Sequence, residues 1–287
     1  MRPVVGIALS LDDVRPLIQS ALDEDVGSGD RTTEVLVPSA AAADAAYVAK
    51  EPIVVSGLTV AAEAVRMCDP SAVFSPEVVD GQFVDPGTVL ARIEGRAATI
   101  LTAERTSLNF LQRMSGIATL TRRYVQAVEG TRAVIVDTRK TVPGHRLLDK
   151  YAVACGGGVN HRVGLFDAIL IKNNHLEFQP TPCAATRAAR SVVGPDFWVE
   201  IEVRDMAELE SALEADPDCI LLDNFTPAEV RDAVGRVSGA VPLEASGGID
   251  LDSVRAFAEA GVDRISVGAL THSVRAADIH LRVTPRP

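Results

Sequence analysis

Residues 137 to 162 read DTRKTVPGHRLLDKYAVACGGGVNHR, and this stretch holds Arg139, Lys140, His145, Arg146, Lys150, His161 and Arg162 in a chain of formal net charge -11. Two cationic tripeptides, TRK and NHR, are joined through a segment that ends in three consecutive glycines. Arginine forks hold carboxylates and phosphates bidentately, and lysine is a point charge for the same groups. A local cationic cluster on an acidic protein therefore points to a small anionic ligand. Lysine usage sharpens this. The chain has four lysines against 24 arginines, and three of them, Lys140, Lys150 and Lys172, lie in this stretch or just after it.

Further reactive residues sit where short apolar runs end. AVIVDTRK gives Thr138, Arg139 and Lys140; AILIKNN gives Lys172, Asn173 and Asn174; FWVEIEV gives Glu200 and Glu202. CILLDN gives Asp223 and Asn224, VPLEASGG gives Glu244, Ser246, Gly247 and Gly248, and RISVGAL gives Gly268. Any one charge at a strand end is readily explained as a solvated loop residue. The whole set is not. Arg139, Lys140, Arg162 and Lys172, with His161 able to donate, exceed what a monocarboxylate requires, so a dicarboxylate or a pyrophosphate fits better. Glu202 and Asp223 would repel such a ligand unless they serve something else. Their oxygens suit Mg²⁺, which takes one or two carboxylates beside substrate phosphates, or they face a cationic transition state. Ser246, Gly247, Gly248 and Gly268 leave room for backbone N–H groups to approach a phosphate, as loops after the last strands of many barrels do. The combination calls for a phosphorylated sugar and an acidic co-substrate.

The elements that must position these groups follow from pattern. Residues 11 to 24 show helical spacing in Leu11, Val14, Ile18 and Leu22, and DVGSGDRTTE reads as a polar loop. YVAKEPIVVSGL reads as strand and turn, TVAAEAVRMC as helix, and AVFSPEVVDGQFVDPGTVLARIEG alternates with DG and PG turns. This is an α+β region. Its VxDGxxVxxG pattern resembles a lipoyl or biotin carrier only weakly, because Lys50, the sole lysine before residue 140, lies outside it. In TAERTSLNFLQRMSGIATLTRRYVQAV, Thr102 is read as an N-cap and Gly116 as a break between two helices. Beyond residue 132, six apolar runs alternate with helical segments, the pattern of buried parallel strands in β/α units. Six units in about 150 residues fall short of the roughly 250 residues of an eight-unit barrel. The expected fold class is α/β, an incomplete α/β barrel with an N-terminal α+β sandwich domain.

Composition excludes other classes. At 287 residues with 47% hydrophobic content the chain is globular, and its acidity argues against general nucleic-acid binding. Cys68, Cys155, Cys183 and Cys219 form no CxxC pair, which reads as thiols in a reducing compartment. MRPVVGIALSLDD lacks the pattern of a signal peptide, and no apolar run reaches the roughly 20 residues of a membrane span. The expectation is a cytoplasmic protein with no membrane partner.

TAERTSLNFLQRMSGIAT, DTRKTVPGHRLLDKYAV, GGGVNHRVGLFDAILIKNNH, ILLDNF, LEASGGI and VGALTHS, together and in this order, resemble the quinolinate phosphoribosyltransferase family from about residue 23 to the C-terminus. The resemblance implies a sandwich domain over 1–113 joined by the tail 273–287, and a catalytic incomplete barrel over 114–272. It implies a pentosyltransferase that joins quinolinate to 5-phosphoribosyl 1-pyrophosphate, giving nicotinate mononucleotide, pyrophosphate and CO₂. It also implies a homodimer or larger homo-oligomer with shared sites, Arg105 in ERTSLNF crossing to the neighbour. By the same carry-over Arg139, Lys140, His161, Arg162 and Lys172 resemble the quinolinate pocket, with Thr138 beside them. Glu202 and Asp223 resemble the ribose and Mg²⁺ side, and Ser246, Gly247, Gly248 and Gly268 the 5′-phosphate cradle. Lys140, Glu202 and Asp223 are the expected catalytic groups. Two departures stand out: Asn173 where the family often has an acidic residue, and His145 where an apolar residue is more usual. A paralogue of the same fold associated with molybdenum-uptake operons shares much of the ERTxLNFLQRxSG region and is the alternative. Two readings from other classes are a Schiff-base enzyme acting through Lys172 and an anion-binding regulatory barrel without catalysis. The first predicts trapping by borohydride, the second phosphate-ester affinity without turnover.

Overall fold

A computed structural model describes residues 9–287; the first eight residues, on which the start of the expected sandwich domain and most of the MRPVVGIALSLDD reading fall, lie outside the described residues. In chain order the elements are α1 (Leu11–Val26), α2 (Arg31–Leu36), β1 (Ala42–Ala49), β2 (Ile53–Val54), α3 (Leu58–Cys68), β3 (Val73–Pro76), β4 (Phe83–Val84), β5 (Val89–Arg96) and α4 (Ala97–Ala127). There follow β6 (Val134–Val136), α5 (Arg146–Cys155), β7 (Ile169–Ile171), α6 (Asn173–Leu176), α7 (Pro182–Val193), β8 (Val199–Val203) and α8 (Met206–Leu213). The chain ends with β9 (Cys219–Asp223), α9 (Pro227–Val237), β10 (Leu243–Ser246), α10 (Val254–Ala260), β11 (Arg264–Ser266), α11 (Ala269–His272) and β12 (Ile279–Pro285). Contacts divide the chain into two units. One comprises Arg123–Lys140 and Gly158–Leu270; the other comprises the described part of Gly6–Arg122, with Thr141–Gly157 and Thr271–Pro287.

The second of these is the α+β sandwich. Its four-stranded sheet runs β12-β1-β5-β3 with antiparallel pairing throughout. Tyr47, Ile53, Leu90, Ile93, Ile100 and Leu111 are at the centre of its core. The helix expected at residues 11 to 24 is α1, and its Val14, Ile18 and Leu22 are buried. Part of the expected polar loop is instead α2, because the Asp30 carboxylate caps the Thr33 backbone N–H at 3.0 Å and starts a helical turn. Arg113 explains why Thr141–Gly157 belongs here. Its guanidinium makes a bidentate pair with the fully buried Asp149 of α5 at 3.0 and 2.8 Å, and donates to the Thr271 carbonyl at 3.1 Å. One side chain thus ties α4 to two chain segments distant in sequence.

The expected break at Gly116 does not occur. Residues 97–127 form one 31-residue helix, and Thr102 lies inside it, donating to Asp30 Oδ2 at 3.2 Å rather than capping. Gly116 is there for space. A Cβ at this position would stand 2.3 Å from the Arg275 carbonyl oxygen and 3.2 Å from Ala276 Cα. The C-terminal segment crosses the helix at backbone distance, and the cost of mid-helix glycine, about 1 kcal/mol, is the condition for that crossing.

The other unit is the incomplete barrel. All six apolar runs beyond residue 132 are strands of one sheet, ordered β6-β11-β10-β9-β8-β7, and every pairing is parallel. The order is cyclic, with the opening between the first and second strands. Alternation sets the two faces. Val199, Ile201, Val203, Ile220, Leu222, Leu243, Ala245 and Ile265 take one parity and are buried. Glu200, Glu202, Leu221, Asp223, Glu244, Ser246, Arg264 and Ser266 take the other. The strands are therefore buried on both faces, but only one face is apolar.

Gly116→Ala separates the two roles of that glycine. Helix propensity alone would stabilise the variant by about 1 kcal/mol, whereas the close crossing should destabilise it by about 1–3 kcal/mol. Denaturant unfolding decides, and a stabilised variant would remove the close-approach argument.

Candidate active site

The polar face of the sheet opens into a cavity of about 480 Å³. Its walls include Thr138, Arg139, Lys140, His161, Arg162 and Lys172. Facing them are Glu202, Asp223, Ser246, Gly247 and Gly248, with Asn224, Glu244 and Ser266. Twelve positions were expected in this unit, and eleven of them line one cavity; the twelfth, Gly268, immediately precedes α11. Arg105 is exposed on α4 in the sandwich unit and is not among the lining residues. His145 also belongs to that unit, where it stacks on Phe110 with centroids 5.9 Å apart. Burial pushes its imidazole below the ordinary histidine pKa.

The cationic wall is built on two short turns. Thr138 Oγ1 accepts the Lys140 N–H at 3.1 Å, shaping the TRK turn after β6. Asp137, fully buried, accepts Asn160 Nδ2 at 2.7 Å and the His161 N–H at 2.8 Å, shaping the NHR turn. The Arg162 guanidinium donates to the Ala168 carbonyl at 3.1 Å. Burial, and then the charge of Arg139, lower its pKa. Two like charges on one wall that act on each other favour an anion beside them. Arg139 Nε is buried without a protein acceptor, a donor left for a ligand.

Across the cavity, Lys172 Nζ lies 3.1 Å from Glu202 Oε2, and the Asn173 N–H donates to Glu202 Oε1 at 3.2 Å. Asn173 therefore serves through its backbone at this point. Glu202 is the carboxylate of β8 that meets Lys172. Asp223 accepts from Asn224 Nδ2 at 2.9 Å. Burial and the adjacent Glu202 charge push the Asp223 carboxyl above the ordinary aspartate range. Lys172 and Lys140 offset part of this push. Beside them the chain turns sharply. Gly247 has φ +103, and a Cβ there would stand 2.2 Å from Asn224 Oδ1, so no other residue fits.

Sequence reasoning placed Glu200 and Glu244 among the strand ends. They lie deeper, fully buried within β8 and β10. His161 Nε2 is 3.1 Å from Glu200 Oε2 and 3.9 Å from Glu244 Oε1. Arg264, which sequence reasoning did not single out, puts Nε 2.8 Å from Glu244 Oε2. Burial opposes ionisation of both acids. At Glu200 the facing His161 Nε2, with Arg264 and the Trp198 N–H, overrides it and holds that carboxyl low, while the Glu200 charge helps keep Glu244 high. The signal for Arg264 was present in period two: RIS alternates as VEIEV does. In His161, which lines the cavity, Nδ1 accepts the Arg162 N–H at 2.7 Å and Nε2 lies 3.1 Å from Glu200 Oε2.

Comparison with known proteins covers both units. Residues 117–282 match the family described as quinolinate phosphoribosyl transferase, C-terminal domain, and residues 30–115 match its N-terminal domain. The nicotinate-nucleotide pyrophosphorylase [carboxylating] of Mycobacterium leprae is 44% identical over 277 residues, spanning 94% of this chain and 97% of that protein. The solved nicotinate-nucleotide pyrophosphorylase of Francisella tularensis superposes with a TM-score of 0.92 at 39% identity, over 97% of this chain and 99% of that one. NadC of Streptococcus pyogenes gives 0.93 at 36% identity, over 98% and 99%.

The Asp223–Glu202 pair can be titrated. A raised carboxyl holds its proton in the folded state where the unfolded chain has lost it, so its contribution to stability falls as pH rises through that window. Relative to wild type, Asp223→Asn should therefore gain unfolding free energy between acid and neutral pH. In Glu202→Gln the Asp223 pKa should drop, read by carboxyl ¹³C NMR. An unmoved titration would show that the two carboxylates do not interact.

Proposed function

The chain belongs to the quinolinate phosphoribosyltransferase family, and from that premise we propose how its residues divide the family's reaction between them. The activity is transfer of a phosphoribosyl group from 5-phosphoribosyl 1-pyrophosphate to quinolinate with decarboxylation, giving nicotinate mononucleotide for NAD biosynthesis. One observation carries the assignment of roles: the four cations Arg139, Lys140, Arg162 and Lys172 line the same cavity as Glu202, Asp223 and the Ser246–Gly248 turn.

The cationic wall takes the two carboxylates of quinolinate. Arg139 and Arg162 supply forks, and the unpartnered Arg139 Nε supplies a buried donor. This fixes the pyridine nitrogen toward the ribose C1 atom and removes the entropic cost of meeting it. As the C1–oxygen bond to pyrophosphate breaks and the C1–nitrogen bond forms, positive charge develops on the ribose ring. Glu202 and Asp223 stabilise that charge and hold the ribose hydroxyls. The Ser246–Gly248 turn, with Gly268 before α11, receives the 5′-phosphate. Once the ring nitrogen is quaternary, the adjacent carboxylate leaves as CO₂ and its electron pair stays on carbon beside a positive charge, so no base is needed. Lys140, exposed and lining the cavity, supplies the proton that this carbon then takes and recovers it from water; the arginines do not give up protons.

The Glu202–Asp223 pair fits a divalent cation by its donor chemistry, hard oxygens crowded enough to raise Asp223. Mg²⁺ bound there would neutralise the pyrophosphate leaving group. We further assign a homodimer in which Arg105, exposed on α4, completes the partner's site. A cytoplasmic location is consistent with four free cysteines, and no helix among the described residues is long and apolar enough to cross a membrane.

The first test is a product assay. Quinolinate, 5-phosphoribosyl 1-pyrophosphate and Mg²⁺ should yield nicotinate mononucleotide, nicotinate should not substitute, and chelation of Mg²⁺ should abolish turnover. Turnover of nicotinate would show that the second carboxylate is not read. A second test mixes Arg105→Ala with Lys172→Ala protein. Each alone should be nearly inactive, and exchange of subunits should restore up to about a quarter of wild-type activity, as expected when one hybrid site in a mixed dimer is intact. No recovery despite demonstrated exchange would count against a shared site.

A further inference from the structure

Beneath the cationic wall lies a buried charged layer to which the steps above give no role. Glu200, Glu244 and Arg264 are at most 5% exposed, and His161 sits over them at 7%. By type His161, Glu200 and Glu244 could ligate a metal. Arg264 argues otherwise, because its Nε already supplies a cation 2.8 Å from Glu244 Oε2. The layer is better understood from the ring it supports.

The two nitrogens of His161 have opposite neighbours. Nδ1 accepts the Arg162 backbone N–H at 2.7 Å and must keep its lone pair. Nε2 faces Glu200 Oε2 at 3.1 Å and must carry a proton. Turning the ring over would place carbon at both positions and lose both interactions. Glu200 is itself held, because Trp198 Nε1 donates to the same Oε2 at 3.3 Å, and Arg264 lies over the Trp198 ring at 5.8 Å. On the other side of the turn, Asp137 fixes Asn160 and the His161 N–H. The NHR turn is thus fastened at both ends of the His161 residue, by Asp137 at its backbone and by Glu200 at its ring.

We propose that Glu200 is a positioning residue for the quinolinate pocket: it fixes the orientation and tautomer of His161, and through the Arg162 N–H on the opposite nitrogen it sets the turn that aims the Arg162 guanidinium. The proposal rests on the reading of this cavity as the quinolinate site. Glu200 touches no substrate. Its effect is to have the acceptor geometry ready before the ligand arrives, so binding energy is not spent on ordering the turn. Arg264 and Trp198 act one step further out, by fixing the carboxylate.

The experiment compares Glu200→Leu, which removes the acceptor, with Glu200→Gln, which keeps a carbonyl oxygen in its place. In Glu200→Leu the KM for quinolinate should rise about tenfold or more, the cost of losing the charged group that His161 Nε2 faces. The KM for 5-phosphoribosyl 1-pyrophosphate should stay within about twofold, since nothing in the argument touches that side. Glu200→Gln should recover most of the loss. Imidazole ¹⁵N shifts of His161 should report a proton on Nε2 in wild type and in Glu200→Gln, and a mixture of tautomers in Glu200→Leu. An unchanged quinolinate KM in folded Glu200→Leu overturns the proposal, as does an equal rise in both KM values, which marks a general structural defect. If Glu200→Leu does not fold, Glu200→Gln decides: a retained Nε2 proton and near-wild-type quinolinate KM support the proposal, and loss of that tautomer sinks it. Failure of wild type to use quinolinate would instead refute the activity, while the His161 tautomers would still show whether Glu200 governs the ring.

Discussion

Charge taken inside a sheet has to be matched there, and this constraint organises the barrel unit. Parallel strands turn alternate side chains to one face, and here that face carries Glu200, Glu202, Glu244 and Arg264, none more than 5% exposed. An unpaired buried carboxylate costs several kcal/mol. Each acid is accordingly matched: Glu202 by Lys172, Glu244 by Arg264, Glu200 by His161. Two of the three matching groups come from outside the strands. The chain just after β7 must reach inward to place Lys172, and the NHR turn must do so to place His161. The cationic wall is therefore a response to the acidic interior as much as a receptor for an acidic ligand.

This pairing also separates the two halves of the chemistry. The side proposed to hold quinolinate is fastened from below, through Asp137 and Glu200. On the side proposed to face ribose and pyrophosphate, burial and the Glu202 charge raise the Asp223 carboxyl. A preorganised anion receptor beside an under-neutralised acidic pair suits a reaction in which an anion enters on one side and a cationic centre develops on the other. A purely anion-binding barrel would have no use for the second half.

The six strands, their polar ends and nearly all the lining residues were legible in sequence, because apolar runs of strand length and residue types at their ends are local properties. The failures were of two kinds. Glu200, Glu244 and Arg264 were misjudged in depth or missed, since reading a run as apolar throughout hides the period-two parity that turns every second residue inward. Gly116 and Thr102 were read by local rules that tertiary structure overrode. A glycine that breaks a helix and a glycine that admits a crossing backbone look the same until the crossing segment, some 160 residues later, is known. The short α2 was hidden for a related reason: DRTTE has the composition of a loop, and only the Asp30 cap reveals the turn.

The placement of β12 bears on how such a chain is made. It pairs with β1 from Ala43↔Pro285 to Ala49↔Ile279, joining the first strand of the sandwich to the last seven-residue element of the chain. During synthesis β1 lacks this neighbour until β12 has been made, and the strands of the barrel are made between the two partners. An edge of β1 stays available to other nascent strands for that whole interval. Contacts of such sequence separation close slowly. The demand on a cell's holding chaperones is thus fixed by β12, and loss of a few of its residues would prolong that exposure far more than their small share of the chain suggests.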